Sequence, residues 1–343
     1  MKNRLSVVIS FIILFNCGSF FPSLAFGQDS TIELTPGFSD SQHIASAGTT
    51  LFPALINHAS TPDKTKIKLV AAANILGYGG TMVGLYSSWY SNYDQTNFHF
   101  FDDNTEWKQV DKVGHSYSAY IEAYGSMEMW RWAGFSKRKS AWIGGLSAMA
   151  YQTTIETLDA FSTEWGWSWG DMGANVFGTG LLIGQELTWN EQRIKYKFSF
   201  HKKNYDSPDL NMRANDLYGS SISERMIKDY NGQTYWLSAN LKSFIPHSNL
   251  PPWLSVAVGY GAEGMFGAEN NVAKDDHGSI TFDRRDIRRF RQYYIAPDID
   301  LTKIKTSSKF LKLAFGALNA FKFPLPSLEY NSKGKFAFHF IHF

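Results

Sequence analysis

The chain has 343 residues, 33 Lys+Arg against 31 Asp+Glu, and a single cysteine, Cys17. Charge this close to balance, with no basic block, gives no reason to expect a nucleic-acid partner. One thiol cannot build a disulfide framework within the chain. An aromatic content of 16% points to a membrane interface, a carbohydrate surface or a large core.

The first residues follow the export pattern. Lys2 and Arg4 give a positive start, Leu5 to Phe21 an apolar stretch, and Ala25 and Gly27 the small residues that a signal peptidase reads. Residues 1–27 therefore read as a cleaved signal peptide, with an uncleaved anchor helix as the alternative. Cys17 follows Leu14-Phe15-Asn16, and Asn16 fits poorly where lipid attachment wants a small residue, so cleavage after Gly27 is preferred to lipidation. Cleavage would remove Lys2, Arg4 and Cys17, leaving a charge-balanced chain without thiol chemistry. The expected destination is the periplasm or the outer membrane.

Residues 28–64 form an irregular lead-in. Residues 65–190 read as helical. Leu69 to Tyr93 has no charged residue, and Gly80 and Gly84 are spaced for close helix contact. It reads as a buried helix, with a membrane span as the alternative. Residues 94–110 are a polar, aromatic-rich loop, and three helices follow over about 111–133, 137–163 and 168–188. Ser168 can cap the last of these and Asp171 favours its first turn. Recurrent small residues, among them Gly144, Gly145, Gly173 and Gly178, suit a compact four-helix bundle.

Residues 191–343 switch to alternation. Ile194 to Phe200, Tyr235 to Phe244, Trp253 to Ala262, Arg291 to Leu301 and Lys335 to Phe343 read as antiparallel strands, with a short amphipathic helix over Lys309 to Phe321. The fold class is α+β: an N-terminal four-helix bundle, then antiparallel strands forming a partial sheet or a small outer-membrane barrel. The aromatic run Phe336 to Phe343 resembles a barrel's closing strand, although five or six strands fall short of the usual eight. Arg284, Arg285, Arg288, Arg289 and Arg291 can contact lipid phosphates; interleaving with Asp283 and Asp286 favours a solvated loop instead.

Chemistry concentrates in the helices. Asp111, His115, Ser118 and Glu122 share one helical face; Gln152, Glu156 and Asp159 repeat the spacing on the next helix, and Asp171 and Asn175 lie one turn apart on the third. Unpaired buried carboxylates are costly, so these residues are expected to meet. The candidate cluster is Asp111, His115, Glu156, Asp159, Asp171 and Asn175. Such a set can perform acid–base work, bind a hard metal ion, or serve as a satisfied structural network that fixes helix register. No Gly-x-Ser-x-Gly elbow, Walker loop or His-Glu-x-x-His motif accompanies it, and His339 and His342 read as ordinary strand residues.

Asp111-Lys112-Val113-Gly114-His115, then Glu156-x-x-Asp159, then Ser168-x-x-Asp171-x-x-x-Asn175-x-x-Gly178 resembles the domain-of-unknown-function family typified by YfiM. The resemblance covers about residues 65–190 and extends more faintly to VanZ-like membrane proteins. It implies a periplasmic or envelope lipoprotein, names no reaction or cofactor, and does not reach the strand region. The expected function is therefore an outer-membrane-associated envelope protein with a bundle built around the cluster and lipid or envelope components as partners. The alternatives are an envelope hydrolase acting on lipid or glycan, with His115 as base, or a small porin-like barrel.

Overall fold

The computed structural model describes residues 61–88, 90, 94–275 and 277–342. The expected signal peptide, Cys17 and nearly all of the 28–64 lead-in lie outside the described residues. The described residues form eight α-helices, one six-stranded antiparallel sheet and a two-stranded ribbon.

Four helices come first: α1 (Lys64–Ser88), α2 (Val110–Trp132), α3 (Lys137–Ala160) and α4 (Trp169–Trp189). Ser136 and Ser168 cap α3 and α4, each accepting from the backbone N–H three residues on. Helix α2 is the axis of the bundle. Val110, Tyr117, Tyr120, Ala123 and Met127 are buried between its neighbours. Glycines set the helix spacing. A Cβ at Gly144 would lie 2.5 Å from the Ala123 carbonyl oxygen, and one at Gly178 would collide with the Ser116 carbonyl.

Helix α1 departs from the sequence expectation. It is largely exposed along Leu69, Ile75, Leu76 and Val83, and a Cβ at Gly80 or Gly84 would meet nothing within 4 Å. Its contacts with α2 and α3 run instead through Asn74, which accepts from Ser126, and Tyr78, which meets Thr154 and Tyr151. No described helix is long and apolar enough to cross a membrane.

The strands are β1 (Ile194–Phe200), β2 (Gln233–Asn240), β3 (Leu254–Glu263), β4 (Val272–Lys274), β5 (Ile280–Asp283), β6 (Phe290–Ile299), β7 (Leu325–Asn331) and β8 (Phe336–His342). Helices α5 (Pro208–Tyr218) and α6 (Ile222–Lys228) join β1 to β2, α7 (Leu241–Phe244) follows β2, and α8 (Lys309–Leu318) precedes β7. The main sheet runs β1-β2-β3-β6-β7-β8, and β4 and β5 pair only with each other. The sheet does not close into a barrel, which corrects the barrel and porin-like alternatives. Instead the edge of β1 takes a parallel bridge from Phe321, with Phe198 N–H donating to Ala320 and Lys322 N–H donating to Phe198.

Two features escaped the sequence pattern. Pro324 and Pro326 masked β7, which tolerates Pro326 within it, and α5 and α6 lie in a stretch where no periodicity was read. Tyr196, Phe198 and Tyr235 pack one face of β1 and β2 onto α2. The opposite face of the sheet is buried and charged. There Lys197 pairs with Asp298 at 2.8 Å and Lys195 with Asp300 at 2.8 Å, while Trp236 covers Gly259. Arg284 and Arg285 are satisfied by Asp209, Asp286 and Asp283, as a solvated loop requires.

Candidate functional site

The site forms where the start of α2 meets the start of α4, backed by the C-terminal half of α3. Ahead of α2, Trp107, Lys108 and Gln109 occupy the left-handed region, with φ of 45°, 54° and 64°. Each such residue costs roughly 1–2 kcal/mol, so the surrounding contacts must over-determine the turn. Trp107 N–H donates to Ala268 at 2.8 Å, the Tyr260 hydroxyl donates to the Lys108 carbonyl, and Arg291 donates to the Gln109 side chain. The turn delivers Asp111 and Lys112 into the first turn of α2.

Lys112 is the hub of the ion pairs. Its Nζ lies 2.7 Å from Asp103 Oδ2, 2.7 Å from Asp171 Oδ1 and 3.3 Å from Asp111 Oδ2. The Ser168 hydroxyl donates to Asp103 at 2.6 Å while accepting from Asp171 N–H, so the cap of α4 is tied to the loop before α2. The Tyr230 hydroxyl donates to Asp111 Oδ1 at 2.7 Å. One turn along α2, the His115 ring stands between two helices. Its Nε2 is 3.6 Å from Asp171 Oδ1 and its Nδ1 is 3.7 Å from Glu156 Oε1.

Asp111, His115, Glu156 and Asp171 are thus brought together. Asp159, three residues on from Glu156, is half-buried and accepts from the Tyr90 hydroxyl at 2.7 Å. Asn175 is 0% exposed, and neither of its amide atoms has a hydrogen-bond partner among the described residues. Glu122, from the same stripe as Asp111, pairs instead with Gln152 at 2.9 Å. The ligand atoms of Asp111, His115 and Asp171 all lie within 4.8 Å of one another, so these three can hold a cation.

The electrostatics follow from crowding and burial. Burial alone would depress the His115 imidazole, but Asp171, Asp111 and Glu156 outweigh it and raise its pKa to about 9. A cationic imidazole donates a proton, so the base role expected of His115 requires that charge to be lifted first. Burial raises Glu156 to about 9 against the pull of His115. Burial likewise lifts Asp159 and Asp171, each to about 7. Burial opposes ionisation of Asp111 too, yet Lys112 and His115 hold it below the ordinary range.

Sequence reasoning missed Lys112, Asp103 and Tyr230 as members of the site. The adjacency of Lys112 to Asp111 was the available signal for the first. Asp103 sits in an aperiodic loop, and Tyr230 arrives from the far side of α6, so local spacing carried no sign of either.

Residues 99–183 match the family model described as a predicted periplasmic lipoprotein (DUF2279). The match runs from just before Asp103 into the middle of α4 and contains Lys112 and the whole sequence-derived cluster; Tyr230 and the sheet lie beyond it. That description fits export to the periplasm. No curated protein and no solved structure matches the chain. On the strand region, His339 Nε2 meets Glu329 at 2.9 Å, and burial drives the pKa of His342 down to about 3.

Proposed function

We propose that the protein is an outer-membrane-associated envelope protein. Its sheet rests one face on lipid and holds the helical domain, YfiM-like in its motifs, beside the membrane. The observation that carries this reading is the inverted patterning of β3, β6, β7 and β8. Their inward residues include Tyr294, Asp298, Gln292 and Glu329, all buried, and their outward residues are apolar and exposed. Val258 pairs with Ile295, Ile295 with Leu328, Leu328 with Phe338, and Tyr330 with Phe336, so the outward side chains form one continuous patch. Phe338 is 58% exposed and Phe336 72%. Monomeric proteins in water rarely expose a contiguous apolar patch of this kind. Polar-in, apolar-out alternation is how strands meet hydrocarbon.

The ends of the patch are equipped for an interface. Lys333 and Lys335 lie in the β7–β8 turn, with Lys333 over the Phe290 ring at 3.5 Å. Lys305, Lys309 and Lys312 lie at the opposite end, next to the exposed Phe310 and Leu311 of α8. Basic and aromatic side chains of this type sit at headgroup level.

The test is fractionation of the full chain. The wild type is expected in the membrane fraction after carbonate washing and in the soluble fraction only with detergent. A Phe338→Asp, Ile295→Asp variant with native circular dichroism is expected to shift to the carbonate-soluble fraction. Complete carbonate release of the wild type would overturn the reading.

A further inference from the structure

We propose that Asp111, His115 and Asp171 form a binding site for a divalent first-row transition ion, held through one imidazole and two carboxylates. The two donors on α2 are four residues apart, which stacks them on one face of the helix. The third donor enters from the first turn of α4, and all three ligand atoms lie within 4.8 Å of one another. An ion of borderline softness such as Zn2+ or Co2+ accepts such a mixed set. Three protein ligands also leave coordination positions open. The His115 and Asp111 side chains are each 16% exposed, so solvent reaches that side.

The outer contacts have the form that metal-binding side chains need. A ligating histidine usually gives its other ring N–H to a carboxylate, which fixes the tautomer. Here His115 Nε2 turns to Asp171 while Nδ1 turns to Glu156 Oε1 at 3.7 Å. Glu156 comes from α3, is buried, and that oxygen has no hydrogen-bond partner among the described residues. The Tyr230 hydroxyl orients Asp111 in the same way. Asn175 adds a second, independent sign: it is fully buried one turn beyond Asp171, with both amide atoms unpartnered. Buried amides are rarely left so without a ligand or water to satisfy them.

Charge points the same way. Among the described residues, Asp103, Asp111, Glu156 and Asp171 gather around two cations, Lys112 and His115. Without an added ion, protons must make up the deficit. A dication supplies the missing charge directly and converts His115 to the neutral ligand form, releasing protons as it binds. Lys112 is the natural competitor, since it shares Asp171. Asp103, also 2.7 Å away, gives its ammonium a place to remain.

The experiment uses the full chain, purified in detergent, stripped with chelator and titrated with Zn2+, Mn2+, Co2+ and Mg2+ by calorimetry. Expected is one site per chain for a transition ion with a Kd below roughly 10 μM, and visible absorption bands from bound Co2+. His115→Ala and Asp171→Asn are expected to weaken binding at least tenfold, and Glu156→Gln by about 10- to 100-fold, as removal of an orienting partner does. Lys112→Met is expected to tighten it. If the wild type binds none of these ions, or if Co2+ binds equally to a folded His115→Ala protein, the proposal is overturned. The wild-type titration decides even where a variant fails to fold, and neither arm depends on membrane attachment.

Discussion

The tightest constraint on the site is the approach of α4 to α2, and Gly178→Ala tests it. A Cβ at Gly178 would fall well inside van der Waals contact with the Ser116 carbonyl oxygen. It would also sit 3.0 Å from the Ser116 carbonyl carbon and 3.1 Å from Tyr120 N. These are backbone atoms of a buried helix and cannot rotate away. Relief requires the helices to separate, and overpacking of this kind costs about 1–3 kcal/mol. Helix propensity returns up to about 1 kcal/mol for Gly to Ala, so the net loss reaches about 2 kcal/mol at the upper end of that range. Gly173, Gly180 and Gly184 lie on the same helix with nothing within 4 Å of a Cβ. Alanine at any of these three is expected to stabilise by roughly 0.5–1 kcal/mol. Urea unfolding in detergent, followed by circular dichroism, reads both signs. Equal effects at Gly178 and Gly180 would refute the packing argument. The site responds as well: Asn175 and Asp171 precede Gly178 on the face turned to α2, so separation weakens the contacts of Asp171 with Lys112 and His115.

Three further predictions follow from buried or strained groups. Burial raises the Glu122 pKa from 4.5 to about 8, so the folded chain keeps a proton that the unfolded chain has released across that window. This residue's contribution to stability is full below pH 4.5 and falls as pH rises to about 8, with a slope on the order of 1 kcal/mol per unit. Unfolding measured across that range is expected to show Glu122→Gln gaining on the wild type as pH rises; parallel curves would contradict it. Arg131, buried in α2, donates to Glu128 at 2.6 Å and to Glu186, so Arg131→Met strands two buried carboxylates and is expected to cost about 3–5 kcal/mol at neutral pH. A loss under about 1 kcal/mol in denaturant titration would contradict that. Lys108→Gly removes the left-handed penalty while keeping the carbonyl that accepts from Tyr260, and is expected to raise stability by about 1 kcal/mol. A lower melting temperature would show that the turn is not strained there.

Periodicity carried much of this molecule. The spacing of Asp111, His115, Glu156 and Asp171 placed those four side chains on helix faces, and burial cost required them to meet. The alternation in β1, β3, β6 and β8 was equally legible, because a half-buried strand writes its environment into every second residue. Local pattern could not say which face of the sheet is inside, since both inversions share one period. Only the tertiary structure decides that: the register puts Ile295 and Phe338 on the same face as Tyr196, Phe198 and Tyr235, and α2 covers that face over β1 and β2 while leaving Ile295 and Phe338 exposed. Nor could it find Tyr230, which reaches Asp111 across 119 residues, or seat Lys112 between Asp103 and Asp171. The sequence by itself determined which residues had to be neutralised in the bundle. The tertiary structure decided by what, because the compensating groups come from separate helices and loops whose distances no local spacing encodes.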